Sequence, residues 1–344
     1  MMSSQGNPKI PRPRGSRKPG LNGGANSSPE AQITQGYVES FDGTKIFYSA
    51  EGSGSPLIFC YGLVCSSLHW TYQIEHFQKT HRSIWVDYRG HQNSEVPADL
   101  STLTLSSVAK DVVAVLDKLE IKDAVFLGHS MGVNVVLEVL NQQPERVRAM
   151  VLANGTPKSP LETLLGGNGA QALFKGLRRA HEAAPHLVER LWKLQKGNPF
   201  ARLMVTLGGF NPHLTAQDDV QLYIDQVADM NPEVFIRLIA NYDESDATSW
   251  LHSIRIPTLI IAGEQDRVTP MAQQELLHQL IPGSKMDKIR HGSHCPQMDL
   301  PDLVNAKIER FLEEINYASL ASPTKGNASP PIEQDRDPAP TKLS

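Results

Sequence analysis

Between about residues 37 and 316 the apolar positions switch between two rhythms, short continuous runs and repeats at helical spacing. Residues 38–48 read as a hairpin turning at Asp42-Gly43, a strong short-range turn signal. The short apolar runs at 56–60, 83–86, 124–127, 150–153 and 258–262 suit buried strands, and 286–289 reads as a further strand. Leu105, Val108, Val112, Val115 and Leu119 recur at helical spacing, as do Val304, Ile308, Phe311 and Ile315 near the end of the chain. A mostly apolar helix over 133–140 must end near Pro144. Strands alternating with helices predict an α/β fold, a mostly parallel sheet flanked by helices on both faces.

The alternation breaks over 157–248. That stretch is helical in pattern, with Leu173, Leu177, Leu187 and Leu191 among its apolar positions, and shows no strand signal. It reads as a helical cap inserted between two strands, where it would roof a site at the carboxyl ends of the sheet. The core is then 37–156 together with 249–316. Residues 1–36, basic, without an aromatic residue and rich in Pro, Gly, Ser and Asn, bury too little apolar surface to offset ordering entropy and read as a disordered tail. Residues 317–344, with Pro323, Pro330, Pro331, Pro338 and Pro340, read as a second tail.

Composition narrows the function classes. The 344 residues carry a net charge of -4, which points to neither nucleic acid nor a strongly charged partner. No stretch of about 18 apolar residues predicts a membrane span. Cys60, Cys65 and Cys295 are too few for a disulfide framework in a chain of this length, so the expected state is reduced and the expected location cytoplasmic.

The chemistry centres on Gly128-His129-Ser130-Met131-Gly132, which follows one expected strand and opens a helix. A serine on such a tight, strained turn needs glycines at 128 and 132, where side chains would clash with neighbouring backbone. The turn lifts the hydroxyl clear of the sheet and aims the first N–H groups of the helix at a developing oxyanion. Ser130 needs a base. His294 and His291 both lie on the loop after residues 286–289. Asp266 follows an expected strand and precedes the histidines, with Glu264 as the alternative carboxylate. Two backbone donors complete the site: Met131, directly after the nucleophile, and Leu63 in Tyr61-Gly62-Leu63.

Taken together these segments resemble the α/β-hydrolase superfamily, especially its capped bacterial serine hydrolases and esterases, over roughly residues 37–316. Tyr61-Gly62-Leu63 sits where the family has His-Gly-x, and Ser67, Trp70 and Gln73 look like the start of the helix that follows. Asp87 through Ser94 is similar to the Asp-x-Arg-Gly-His-Gly-x-Ser segment, with Gln92 in place of the second Gly. Gly292-Ser293-His294 resembles the turn bearing the family's catalytic histidine, which implies His294 rather than His291 as base. The order Ser130, Asp266, His294 is the family's order. Tyr61 in place of His implies a narrowed entrance or an added hydroxyl contact, and with Trp70 it is a candidate wall of the substrate pocket.

The resemblance implies hydrolysis of a small to medium carboxylic ester or lactone, a small-molecule acyl substrate, with no cofactor. Cleavage of a carbon–carbon or amide bond, cofactor-free perhydrolysis and a non-catalytic binding role stay open on the same scaffold. An Asp nucleophile is disfavoured because the elbow residue is Ser130. No zinc spacing or phosphate-binding glycine loop occurs, so no metal and no nucleotide are expected. Cys65 and Cys295 are expected near the site, where a thiol reagent would block access. Trp192, Phe200, Phe210, Tyr223, Phe235 and Tyr242 are expected to divide between packing and pocket lining.

Overall fold

The hairpin forms where the turn signal lies. β1 (Ile33–Glu39) and β2 (Lys45–Glu51) run antiparallel. Gly43 takes the left-handed φ of 82° that the turn requires, and Asp42 Oδ1 accepts the Thr44 N–H at 3.1 Å. The computed structural model describes residues 33–162 and 168–317. Strand β1 starts at Ile33, so residues 33–36 belong to the sheet and not to the expected tail. The rest of the expected N-terminal tail lies outside the described residues.

Six further strands follow: β3 (Pro56–Cys60), β4 (Arg82–Val86), β5 (Ala124–His129), β6 (Val147–Ala153), β7 (Thr258–Gly263) and β8 (Lys285–Ile289). The sheet order is β1-β2-β4-β3-β5-β6-β7-β8. From β4 onward in that order every pair is parallel. Strands β5 and β7 are buried at every position, which explains their unbroken apolar runs. The flanking helices are α1 (Thr71–Phe77), α2 (Leu105–Lys118) and α3 (Met131–Gln142), then, after the sixth strand, five helices in succession. These are α4 (Asn168–Ala183), α5 (Pro185–Lys193), α6 (Pro199–Gly209), α7 (Gln217–Asp229) and α8 (Pro232–Asp243), which together form an insertion between β6 and β7. The chain closes with α9 (Met271–Leu280), α10 (Pro296–Asp299) and α11 (Pro301–Glu314). Helix α9 has no clean apolar stripe, and the sequence pattern gave no sign of it. Tyr317, placed in the C-terminal tail by composition, instead donates its hydroxyl to the Pro56 carbonyl at 2.7 Å and stacks on His81. The remainder of that tail lies outside the described residues.

Local chemistry fixes the loops at the carboxyl ends of the strands. The Asp87–Ser94 segment is anchored by Arg89, whose side chain is fully buried. It pairs in bidentate fashion with Asp111 at 2.7 Å through both Nε and Nη2, and its Nη1 reaches Asp42 at 2.9 Å and Thr102 Oγ1 at 2.9 Å. The guanidinium thereby ties the hairpin, α2 and the loop after β4 together. Gln92 stands in the left-handed region at φ 44°, where glycine is at ease.

Two predictions follow from these loops. Arg89→Leu strands the buried Asp111 carboxylate and should cost about 3–5 kcal/mol in denaturant unfolding. Gln92→Gly relieves a left-handed backbone at an exposed position and should stabilise by up to about 1 kcal/mol in the same assay.

Candidate active site

Four loops meet at the carboxyl edge of the sheet, and crowding sets the first of them. A Cβ at Gly132 would lie 2.2 Å from the Cys60 carbonyl oxygen, and one at Gly128 would lie 2.7 Å from the Gly132 carbonyl oxygen. Only glycines let α3 sit this close to β3. Ser130, between them, adopts φ 54° and ψ -123°, a strained conformation for a residue with a side chain. Its N–H donates to the Ala153 carbonyl at 3.0 Å, and its carbonyl accepts the Val133 N–H at 3.0 Å.

The loop after β3 lies against this turn. A Cβ at Gly62 would come within 3.0 Å of Ser130 Cβ and 3.4 Å of Ser130 Oγ. Val64 takes φ 55°, and the Cys65 N–H closes back on the Gly62 carbonyl at 3.3 Å. Among the described residues the N–H groups of Leu63 and Met131 have no backbone acceptor. Met131 is the first residue of α3, so its N–H is one of the donors a helix start leaves free.

Tyr61 and Trp70 require a correction. Both are fully buried, and their polar ends are committed to backbone. The Tyr61 hydroxyl accepts the Tyr88 N–H at 2.7 Å, its ring stacks on Tyr88 with centroids 4.2 Å apart, and Trp70 Nε1 donates to the Cys60 carbonyl at 3.0 Å. They hold the loop after β3 from behind and do not wall a substrate pocket.

Asp266 and His294 are joined. Asp266, whose side chain has no exposed surface, lies 3.0 Å through Oδ2 from His294 Nδ1. Its Oδ1 accepts the N–H groups of Val268 at 2.7 Å and Thr269 at 3.0 Å, and the Thr269 hydroxyl donates to Oδ2 at 2.8 Å. His291 is exposed, turns away at φ 65° and contacts Gln265, and Glu264 is exposed. The geometry therefore separates His294 from its rival and Asp266 from Glu264. His294 lies beside the elbow, its ring 4.9 Å from that of His129. Ser130 Oγ and His294 form no hydrogen bond with each other in this structure.

Asn154 escaped the sequence reading. Its side chain clasps both loops: Nδ2 donates to the carbonyls of Ser293 at 2.7 Å and His294 at 3.0 Å, while Oδ1 accepts the Gly263 N–H at 2.8 Å. A polar residue directly after a buried strand was the available signal. His129 adds another tie, with Nε2 2.8 Å from the His294 carbonyl. That contact requires Nε2–H, which leaves Nδ1 as acceptor for His69 Nδ1 at 3.4 Å. Burial drives both imidazoles to the neutral form, His69 down to about 3 and His129 well below the usual histidine value. Neutral rings serve here as hydrogen-bonding groups.

His69, His129 and Cys295 place three ligand-type atoms within 4.8 Å of one another, the grouping among the described residues that could hold a metal. The Nδ1 atoms of the two imidazoles already face each other at 3.4 Å. All three cysteines are buried and free, and burial raises the Cys60 thiol to about 12 and those of Cys65 and Cys295 well above the usual range. With so little thiolate and no exposed sulfur, the expectation that a thiol reagent would block the site loses its basis.

The insertion reaches the site at two places. Phe210 and Tyr223 pack around His69, with centroids at 6.2 Å and 5.2 Å. Trp192 packs on Phe235, and Tyr242 is buried in the main core, so these three serve packing. The Phe200 side chain lies outside the described residues. The junction between α6 and α7 is also bonded to the histidine loop. Buried Asp299 accepts the Ser293 N–H at 2.6 Å and, from the insertion, the Thr215 hydroxyl at 2.5 Å and the Asn211 N–H at 3.3 Å. Asn211 Nδ2 donates to the His291 carbonyl at 2.9 Å, and the Ser293 hydroxyl to the Gly209 carbonyl at 3.1 Å. A cavity of about 760 Å³ opens beside this seam, lined in part by Phe210, His213, Gln265, Arg267 and His291. It touches Asp266 and Ser293 but neither Ser130 nor His294, so it adjoins the triad residues and is not the space over the nucleophile.

Comparison with known proteins identifies the family and the fold. A family profile described as alpha/beta hydrolase fold matches residues 55–301, and the chain belongs to that family. A non-heme haloperoxidase from Rhodococcus erythropolis is 30% identical over 80% of this chain and 99% of its own length. A bifunctional epoxide hydrolase 2 from Sus scrofa is 26% identical over 83% of this chain, which spans only 56% of that relative. An esterase structure from Exiguobacterium antarcticum superposes with a TM-score of 0.64 at 21% identity, covering 80% of this chain and 98% of the other, a likeness of fold.

The Asp299 seam makes a prediction. Thr215→Val removes one donor at a distance from the triad residues and should raise amide exchange in residues 291–299 by about 10-fold, read by mass spectrometry.

Proposed function

We propose that this protein is a serine hydrolase that cleaves a carboxylic ester or lactone of small to medium size through an acyl-enzyme on Ser130. The observation that carries the reading is the 3.0 Å Asp266–His294 contact set beside a serine held in an elbow at φ 54°.

In this reading His294 Nε2 takes the proton from Ser130 Oγ as the hydroxyl attacks the substrate carbonyl carbon. The carbonyl oxygen becomes an oxyanion and accepts hydrogen bonds from the free N–H groups of Leu63 and Met131. Each such donor contributes about 10²–10³ to turnover. The leaving alcohol, or the ring oxygen of a lactone, departs with the proton held by His294. Water then repeats the sequence on the acyl-enzyme and frees the acid and Ser130. Asp266 fixes the Nδ1–H tautomer and stabilises the imidazolium. The insertion acts as a cap, with Phe210 and Tyr223 giving the acyl group an apolar roof. No cofactor takes part in any step.

A second reading is favoured by the 30% identity to a protein named a non-heme haloperoxidase. Hydrogen peroxide in place of water would attack the same acyl-enzyme and release a peracid.

The test is labelling with a fluorophosphonate probe alongside turnover of a short-chain nitrophenyl ester. Wild type should label and turn over, and Ser130→Ala should do neither. Asp266→Asn should lower kcat by about 10³–10⁴. Wild-type protein that is folded yet inert to both probe and ester would overturn the proposal in favour of a binding role. Peracid formed from acetate and peroxide faster than ester is hydrolysed would select the second reading.

A further inference from the structure

Helix α5 carries apolar side chains on two sides. Val188 and Trp192, four residues apart, face the protein: Val188 is buried, and Trp192 packs on Phe235 at 5.0 Å while its Nε1 donates to the Val227 carbonyl at 2.7 Å. Leu187, Leu191 and Leu194 follow the i, i+4, i+7 spacing of one helix face, yet they are 56%, 56% and 65% exposed. Leu173 on the preceding helix is 68% exposed. A scattered surface leucine needs no explanation, but a stripe at helical spacing marks a surface with a partner. The packing of α5 on its own protein is already supplied from the other side.

The charge around the stripe says what kind of partner. Residues 168–203 hold seven Lys and Arg against two Glu, whereas the whole chain is at -4. Arg190 and Lys193 stand on α5, and Lys175, Arg178 and Arg179 on α4. Lys193 and Arg178 each pair with a glutamate of their own helix, while Arg179 and Arg190 form no ion pair among the described residues. An isologous contact with a second copy would set this positive surface against itself, which is repulsive. An anionic lipid surface has the complementary sign. Basic amphipathic helices bind such surfaces with their leucines at the acyl boundary and their basic groups among the headgroups.

We infer that the α4–α5 face docks peripherally on an anionic lipid surface. No helix among the described residues is long and apolar enough to cross a membrane, so the contact is one of docking and not of spanning. The same insertion is bonded to the histidine loop through Asp299. A lipid-dissolved ester would therefore meet the protein on the insertion that packs against His69 and the histidine loop.

The test uses the full chain and sedimentation with vesicles, made either of equal parts phosphatidylcholine and phosphatidylserine or of phosphatidylcholine alone. Wild type should bind the mixed vesicles, and rising salt should weaken binding. The triple variant Leu187→Gln, Leu191→Gln, Leu194→Gln should keep its Tm and lose affinity by about 10- to 100-fold. Arg179→Glu with Arg190→Glu should lose affinity and much of the salt dependence, and it tests the same face should the triple variant fail to fold. Ser130→Ala should bind as wild type does, so a failure of the proposed chemistry leaves this result standing. The inference is overturned if wild type binds neither vesicle, or if the triple variant binds as wild type does, since the basic cluster from Lys9 to Lys18 would then account for binding. Equal binding to phosphatidylcholine alone overturns the anionic assignment. A wild-type dimer that the triple variant converts to monomer, with no vesicle binding, assigns the stripe to a second copy.

Discussion

The site depends on a contact between two pieces of backbone. The first turn of α3 lies against the end of β3 so closely that a Cβ at Gly132 would stand 2.2 Å from the Cys60 carbonyl oxygen. The same approach sets the height of Ser130 above the sheet and the direction of the Met131 N–H. Any side chain at 132 would move nucleophile and oxyanion donor together, away from the Gly62 loop. The strain at Ser130 persists because the Ala153 carbonyl and the Val133 N–H hold it on either side.

The second half of the site is held by polar clasps. Asp266 arrives at the end of β7 and His294 after β8, and Asn154 at the end of β6 bonds to both loops. His129 extends the nucleophile elbow to the same histidine backbone. Because burial keeps His69 and His129 neutral, they brace His294 without adding positive charge beside it. Asp299 carries the bracing outward into the insertion.

Much of this was legible in the sequence. Apolar rhythm located the buried strands because a parallel strand covered on both faces has little choice of residue. The elbow and the pairing of Asp266 with His294 were legible because each combines a residue type with a position at the end of a strand. Asn154, Thr269 and Asp299 were not, since their roles lie in hydrogen bonds to backbone far away in sequence, and a lone polar residue gives no periodic signal. Tyr61 was misplaced because a departure from a family pattern suggests a functional change, whereas its side chain, like that of Trp70, turned inward to pack and to satisfy backbone groups. Helix α9 buries polar Gln273 and Gln274, so its inward face does not read as apolar. The exposure of the α5 leucines was not legible, because spacing cannot tell which of two apolar faces meets the protein.

The clasp at Asn154 has a consequence for how the chain comes into being. It joins a residue at the end of β6 to carbonyls 139 and 140 positions later, with the whole helical insertion threaded between. On the ribosome the elbow and its serine emerge long before the last two strands do, and closing so long a loop is slow compared with local folding. A nascent chain that has not yet exposed β7 holds Ser130 with neither Asp266 nor His294 in place. Any product that stops short of the loop after β8 lacks the partner that Asn154 clasps and the imidazole that Asp266 meets.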